Sequence, residues 1–144
     1  MGKKRVVSRN ETRGAEKFRQ VVSKKVKGKK FARGRVYIKA SYNNTIMTLT
    51  DDKGDVISWI SAGALGFTGP KRSTPYAAIQ AAKALSQRAE GTGLKDVEIY
   101  VKGLGRGTEA AIRAFASEGL SITFIKDTTP IPHGGPRPRK PRRV

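Results

Sequence analysis

The chain has 144 residues, enough for one domain, and carries a formal net charge of +19. It has no cysteine and a single histidine, His133, which excludes disulfides, thiolate-held zinc, thiol catalysis and any multi-histidine metal centre. No apolar run approaches the roughly 20 residues of a membrane span, and the basic start Met1–Val7 lacks the apolar stretch of a secretory signal.

The charge is unevenly placed. Residues 1–35 hold fourteen Lys or Arg against two acids, residues 36–125 hold ten against eight, and residues 126–144 hold six against one. A nearly neutral centre therefore carries two cationic arms. In the first arm Val6, Val7, Phe18, Val21, Val22, Val26 and Phe31 are scattered among cations without a period. Such a segment repels itself and buries too little apolar surface to fold alone, so it is expected to order only against a polyanion. Nucleic acid is the commonest polyanion partner.

Periodic structure is expected from Val36. Val36, Ile38 and Ala40 alternate with Tyr37, Lys39 and Ser41, the pattern of a half-buried strand. Asn43-Asn44 suits a tight turn through positive φ, and Thr45–Thr50 is a β-branched second strand. The run Asp51-Asp52-Lys53-Gly54-Asp55 predicts a second turn with Gly54 left-handed, and Val56–Ile60 a third strand. The three strands form an antiparallel meander. Ser61–Arg72 reads as a glycine-rich loop. Thr74-Pro75 starts a helix as N-cap and first residue, Ala78, Ile79, Ala82, Leu85 and Ala89 form its apolar face, and Gly91 and Gly93 stop it. Val97, Ile99 and Val101 mark a fourth strand. After the loop Gly103-Leu104-Gly105-Arg106-Gly107, Thr108 is expected to cap a second helix with Ile112, Phe115 and Ala116 on its apolar face. Leu120, Ile122 and Phe124 mark a fifth strand. The fold class is α/β, a mixed five-stranded sheet in the order β-β-β-α-β-α-β, with its last strands joined through helical crossovers. The domain organisation is a basic extension over 1–35, a globular RNA-binding domain over 36–125 and a tail over 126–144. Five tail prolines, from Pro130 to Pro141, favour extended chain.

Both glycine-rich loops follow a strand and precede a helix, where unpaired N–H groups and the helix dipole suit phosphate, and Lys71, Arg72 and Arg106 stand beside them. Tight-turn geometry accounts for the glycines equally well. Neither loop has the spacing of a nucleotide-binding fingerprint. Asp51, Asp52 and Asp55 crowd one turn, where aspartate bonds the local backbone, rather than converging from separate elements on a metal. Glu109 suits the first turn of its helix through the dipole. Trp59, Phe115 and Phe124 are expected in the core, while Tyr42 and Phe67 lie in turns beside cations, where bases can stack. In the stretch Arg137 to Arg143, prolines hold cations along an extended path that can track phosphates.

These residues resemble a known family. Ala40-Ser41-Tyr42-Asn43-Asn44-Thr45-Ile46 is similar to the ASFNNTI signature of the eleventh small-subunit ribosomal protein of bacterial type. The likeness runs in order through Ser61-Ala62-Gly63, Gly66-Phe67, Lys71-Arg72-Ser73-Thr74-Pro75, Lys102-Gly103 and Thr129-Pro130-Ile131-Pro132-His133-Gly134 to Arg142-Arg143-Val144, and covers residues 36–144. It implies a fold related to ribonuclease H and the translational machinery, and a non-catalytic protein without cofactor. It also implies a place on the platform of the small subunit, bridging helices of its ribosomal RNA beside ribosomal proteins seven and eighteen and the messenger's Shine–Dalgarno duplex. The ribosome would be cytoplasmic, with an organellar one left open; neither a membrane nor a small-molecule substrate is implied. RNA contacts are implied at Lys71, Arg72, Arg106, His133, Arg137, Arg139, Lys140, Arg142 and Arg143. Lys39, Tyr42, Asn43, Asn44, Ser73, Gly103, Gly105 and Gly107 complete the candidate set. Two departures stand out: Pro132-His133-Gly134-Gly135 where the family usually reads PHNG, which removes asparagine chemistry from that turn, and an arginine at 106 displaced by two positions from its usual place in the loop. Two other classes remain as rivals, a metal-dependent nuclease on a ribonuclease H-like sheet and a free-standing nucleic-acid chaperone.

Overall fold

The computed structural model describes residues 30–141 and residue 143. The extension expected over 1–35 lies outside the described residues as far as residue 29, and so does Arg142. Five strands and two α-helices follow in the expected order: β1 Arg33–Ala40, β2 Thr45–Asp51, β3 Val56–Ser61, α1 Pro75–Ala89, β4 Asp96–Lys102, α2 Gly107–Ser117 and β5 Ser121–Asp127. The sheet order is β3-β2-β1-β4-β5. β2 runs antiparallel to β1 and β3, and β4 lies parallel to both β1 and β5.

Alternation in the strands puts Val36, Ile38 and Ala40, Met47 and Leu49, Ile60, and Val97, Ile99 and Val101 on one buried face. Both helices cover that face. α1 packs on β2 and β3, α2 on β1 and β5, and the helices pack on each other. α1 achieves this with small side chains: Ala77, Ala78, Ala81, Ala82, Ala84 and Ala89 are all buried. Alanine lets a helix approach both a sheet and a second helix closely, so the core is thin but dense. Phe115 of α2 supplies its largest fully buried side chain. Arg88, near the end of α1, is buried and donates from Nη1 to the Trp59 carbonyl at 2.8 Å and to Ser58 Oγ at 3.4 Å, fastening the helix to strand β3. Its pKa is lowered by burial.

Several elements differ from the pattern-based expectation. β1 begins at Arg33, three residues before Val36, and pairs there with Asp96. No non-glycine residue among those described has positive φ, so Asn43-Asn44 does not form the expected left-handed turn. The Ser41 hydroxyl closes the loop instead: Oγ accepts from Asn44 N at 3.1 Å and donates to the Asn44 carbonyl at 3.1 Å. Gly54 is left-handed as expected, and Asp51 Oδ1 accepts from Lys53 N and Asp55 N, the local backbone role assigned to that cluster. Thr74 caps α1 by accepting from Ala77 N at 3.3 Å, with Pro75 first in the helix. Thr108 is not a cap. α2 begins two residues earlier than a cap at Thr108 would give, with Arg106 at the cap position, and Thr108 Oγ1 turns back to the Gly105 carbonyl. Trp59 and Phe124 are not core residues. They are 57% and 48% exposed on the opposite face of the sheet, which neither helix covers: Trp59 falls on the outward phase of β3, whereas a register shift in the β4–β5 pairing sets Phe124 beside Glu98 and off the inward phase of Ile122.

Candidate nucleic-acid interface

Strand direction decides where the cations gather. β1, β3, β4 and β5 all point the same way. The four segments that leave them therefore emerge at one end of the sheet: the turn Ser41–Asn44, the loop from Ala62 to Thr74, the loop from Gly103 to Arg106, and the tail from Thr128. That end of an α/β sheet is where ligand sites collect. Tyr42, Asn43, Lys71 and Arg106 are exposed there, while Asn44, Arg72 and Ser73 are half-buried. Lys71 and Arg72 lie in a short 3-10 helix, Gly69–Ser73, that turns the chain into α1. Tyr42, Pro70, Ser73, Thr74, Pro75 and Arg106 line one open hollow of about 300 Å³. Residues from three separated segments, proposed singly from the sequence, thus share one surface.

The three loop glycines are explained by packing. Gly105 N donates to the Ala40 carbonyl at 3.1 Å, which draws the loop across the end of β1. A Cβ at Gly103 would lie 2.1 Å from the Ala40 oxygen, and Gly103 has φ +103°. A Cβ at Gly105 would lie 2.7 Å from both Ala40 C and the Ser41 oxygen. At Gly107 it would lie 2.9 Å from Ala78 Cβ and 3.0 Å from Thr45 Oγ1. Each missing side chain admits another part of the protein, and the buried Gly107 sets the start of α2 against α1 and β2. Leu104 and Arg106 are the exposed members of this loop.

The two helix ends are not equivalent. The first turn of α1 is partly satisfied by Thr74 and begins with a proline, which has no N–H to offer. α2 has no side-chain cap; Arg106 occupies the cap position, and Thr108 N reaches the Gly105 carbonyl at 3.5 Å. Glu109 sits in that first turn as the dipole favours, and it pairs with Arg113 one turn on.

The root of the tail is pinned to the same loop. Thr128 N and Oγ1 both donate to the Val101 carbonyl, at 2.8 and 2.9 Å. Thr129 Oγ1 accepts from Gly103 N at 3.0 Å and donates to Asp127 Oδ1 at 2.7 Å, while Thr129 N reaches the same carboxylate at 2.8 Å. These bonds hold the Asp127 carboxyl below its ordinary range, the Thr129 hydroxyl first and its N–H second. Beyond this clamp, residues 130–141 contain no helix or strand and are exposed. His133, Arg137, Arg139, Lys140 and Arg143 lie along this exposed path, away from the hollow, while Lys39 closes β1 on the uncovered face. Pattern reading missed the clamp, although Thr128-Thr129 directly before Pro130 was its available signal. It also missed Lys102, which stands in register beside Lys39.

A sheet covered by helices on one face, a cationic end assembled from several connections and an exposed basic tail define an α/β domain with charged extensions. Among the described residues no group of three or more His, Asp or Glu side chains is placed to hold a metal ion. Compared with known families, residues 34–143 match Ribosomal protein S11. The chain is 51% identical over 124 residues to the small ribosomal subunit protein uS11 of Sulfurovum sp. strain NBC37-1, covering 85% of this chain and 100% of that one. It is 52% identical over 124 residues to the protein of the same description from Treponema pallidum strain Nichols, covering 85% and 98%. With that of Campylobacter curvus strain 525.92 it shares 51% identity over 127 residues, covering 88% and 98%. The chain belongs to the ribosomal protein S11 family, whose members are structural and not enzymes.

Proposed function

We infer that the protein is a structural component of the small ribosomal subunit, bound to its ribosomal RNA and seated among other ribosomal proteins. In this reading it bridges RNA helices on the platform, borders the Shine–Dalgarno channel and neighbours ribosomal proteins seven and eighteen in a cytoplasmic ribosome. The observation that carries it is the gathering of Lys71, Arg72, Arg106 and the tail root at one end of the sheet. Four connections there meet a large ligand from a rigid base. Little in these loops can read base edges, so recognition rests on RNA shape and phosphate position. The full set of proposed contacts is Lys39, Tyr42, Asn43, Asn44, Lys71, Arg72, Ser73, Arg106, His133 and the tail cations, with Gly103, Gly105 and Gly107 shaping the loop.

Deleting residues 136–144 tests the reading. It removes Arg137, Arg139, Lys140, Arg142 and Arg143. If all five meet phosphates, the slope of log affinity against log salt for small-subunit ribosomal RNA falls in magnitude by about 4. The melting transition of the domain stays in place, because residues 136–141 make no helix or strand and are exposed. An unchanged slope removes the tail from the interface. A chain that does not remain with salt-washed small subunits on a sucrose gradient is a free chaperone instead.

A further inference from the structure

The face of the sheet turned away from both helices, exposed among the described residues, carries chemistry that the loops and tail leave unused. Five strands present one continuous surface there. Across its middle row stand Trp59 on β3, Thr48 on β2, Tyr37 on β1 and Tyr100 on β4, each in register with the next. Tyr37 and Tyr100 stack with ring centroids 5.2 Å apart and planes 20° apart, and Phe124 of β5 meets Tyr100 edge-on at 6.2 Å. Trp59, Phe124 and Tyr37 are all exposed. Between Trp59 and Tyr37 the floor is the small Thr48. Two strand spacings, about 9–10 Å, separate the flanking positions, enough to admit one base between two aromatic side chains.

The charges on this face are ordered along the strands. Lys39 and Lys102 lie side by side at the end nearest the RNA-facing loops, and Lys126 registers beside Tyr100. None of the three lies within ion-pair distance of an acid among the described residues. The acids of the face sit toward the other end, Glu98 bonded to Arg35 Nε at 3.2 Å and to the Tyr100 hydroxyl at 3.0 Å, and Asp96 in register with Arg33. Exposed rings backed by unpaired cations fit an unstacked nucleic-acid strand, its bases on the rings and its phosphates at the lysines. A second copy of the chain would set these lysines against themselves. An apolar protein segment would cover the rings and leave three cations without partners.

We propose that this face is a base-stacking platform for a single-stranded segment of RNA, with Tyr37, Tyr100, Phe124 and Trp59 as stacking surfaces and Lys39, Lys102 and Lys126 as phosphate contacts. It rests on the RNA-binding reading above and extends that interface from the loops onto the sheet. The purified full chain titrated with a labelled oligouridylate at high salt, where phosphate contacts are weakened, tests it. Tyr37→Ala weakens binding about tenfold without changing the salt slope. Tyr37→Phe keeps the affinity of the parent, and Lys39→Gln lowers the slope by about 0.7. Trp59 emission is quenched by the oligonucleotide in the unmodified chain, a readout that needs no variant to fold. In intact small subunits, ultraviolet light attaches nucleotides to peptides containing Tyr37, Tyr100 or Phe124. Adducts confined to loop and tail peptides, with Tyr37→Ala binding as the parent does, overturn the platform and leave the ribosomal reading standing. Cross-links from these peptides to a neighbouring protein instead make the face a protein dock and also overturn it. A chain that binds neither oligonucleotide nor ribosomal RNA overturns both.

Discussion

Substituting Gly103 by alanine separates packing from phosphate binding in the loop Gly103–Gly107. The added Cβ would sit 2.1 Å from the Ala40 oxygen and 3.0 Å from Ala40 C, whereas real Cβ atoms essentially never approach closer than 3.0 Å. The loop must therefore withdraw from β1 by roughly 1 Å in an interior that yields little. Overpacking of this kind costs about 1–3 kcal/mol. A φ of +103° adds about 1–3 kcal/mol for an L side chain. Withdrawal also strains the bond from Gly105 N to the Ala40 carbonyl and that from Gly103 N to Thr129 Oγ1, each contributing about 0.5–1.5 kcal/mol. The expected loss is about 3–9 kcal/mol, a large part of the 5–15 kcal/mol typical of a domain. Urea unfolding followed by circular dichroism and by the emission of Trp59, the chain's one tryptophan, measures it. Gly105→Ala, with clashes at 2.7 Å but no positive φ, is expected to cost about 2–3 kcal/mol. Gly134→Ala is the control: φ is +63° but nothing lies within 4 Å of the new Cβ, and the residue is in the exposed tail, so the core unfolds unchanged. If Gly103→Ala shifts unfolding by less than about 0.5 kcal/mol, the close approach to β1 does not hold this loop.

Arg106→Ala should behave in the opposite way, lowering affinity for ribosomal RNA and reducing the salt slope by about 0.8 while shifting stability by no more than about 0.5 kcal/mol. Arg88→Ala removes the guanidinium that bonds the Trp59 carbonyl and leaves that acceptor without its donor, an expected cost of about 2–3 kcal/mol in urea unfolding with RNA affinity per folded molecule unchanged. The Asp127 clamp is acid-sensitive. A carboxyl whose folded pKa is depressed contributes fully above its unfolded pKa, and that contribution is lost as pH falls through the folded value. Amide exchange at Gly103 and Thr129 should accelerate, relative to core amides, as the pH falls through the acid range. Thr129→Val, which deletes the hydroxyl that does most to depress the pKa, should shift that acceleration to higher pH at residue 129, whose N–H keeps Asp127 as acceptor, while Gly103 N loses its acceptor at every pH.

The strands were legible because the buried face alternates cleanly. Val36, Ile38 and Ala40, and Val97, Ile99 and Val101, leave one phase for the core and one for the outside. Thr74-Pro75 marked its helix because a hydroxyl cap and a proline act locally, within one turn. Trp59 was misplaced because size and apolarity were weighed above phase, and Phe124 because a register shift in the β4–β5 pairing reverses the alternation it shares with Ile122. Each lies two residues or fewer from a side chain on the buried face, and a strand slipped by one reverses every assignment. Thr108 failed as a cap because tertiary packing at Gly107, against Ala78 and Thr45, sets the start of α2, and no local signal encodes that contact. Asn43-Asn44 failed because a hydroxyl two residues upstream closed the turn without positive φ. Of the candidate site, the cations were legible one by one. Their gathering at one end depends on strand directions, and the Thr129–Gly103 clamp joins residues 26 apart.

Near-neutrality of the folded centre follows from the same geometry. A core to which its longer helix contributes mainly alanine has little stability to spare for mutual repulsion among crowded cations. Charge is therefore tolerated where the chain leaves the sheet, at the exposed ends of connections, and in arms that need not be compact. Directing four strands to one end turns that tolerance into a surface, because Lys71 and Arg72 of one loop, Arg106 of another and the root of the basic tail arrive there together. The clamp at Thr128-Thr129 then fixes the direction in which the tail departs, so its first cations set out from a defined point although the tail itself has no regular structure. Loosening that root should weaken RNA binding even though Thr129 carries no charge: Thr129→Val keeps every cation, so any loss of affinity at an unchanged salt slope measures the tail's prearranged direction. A variant that binds RNA as the parent does would show that the arm finds its phosphates without a fixed starting point.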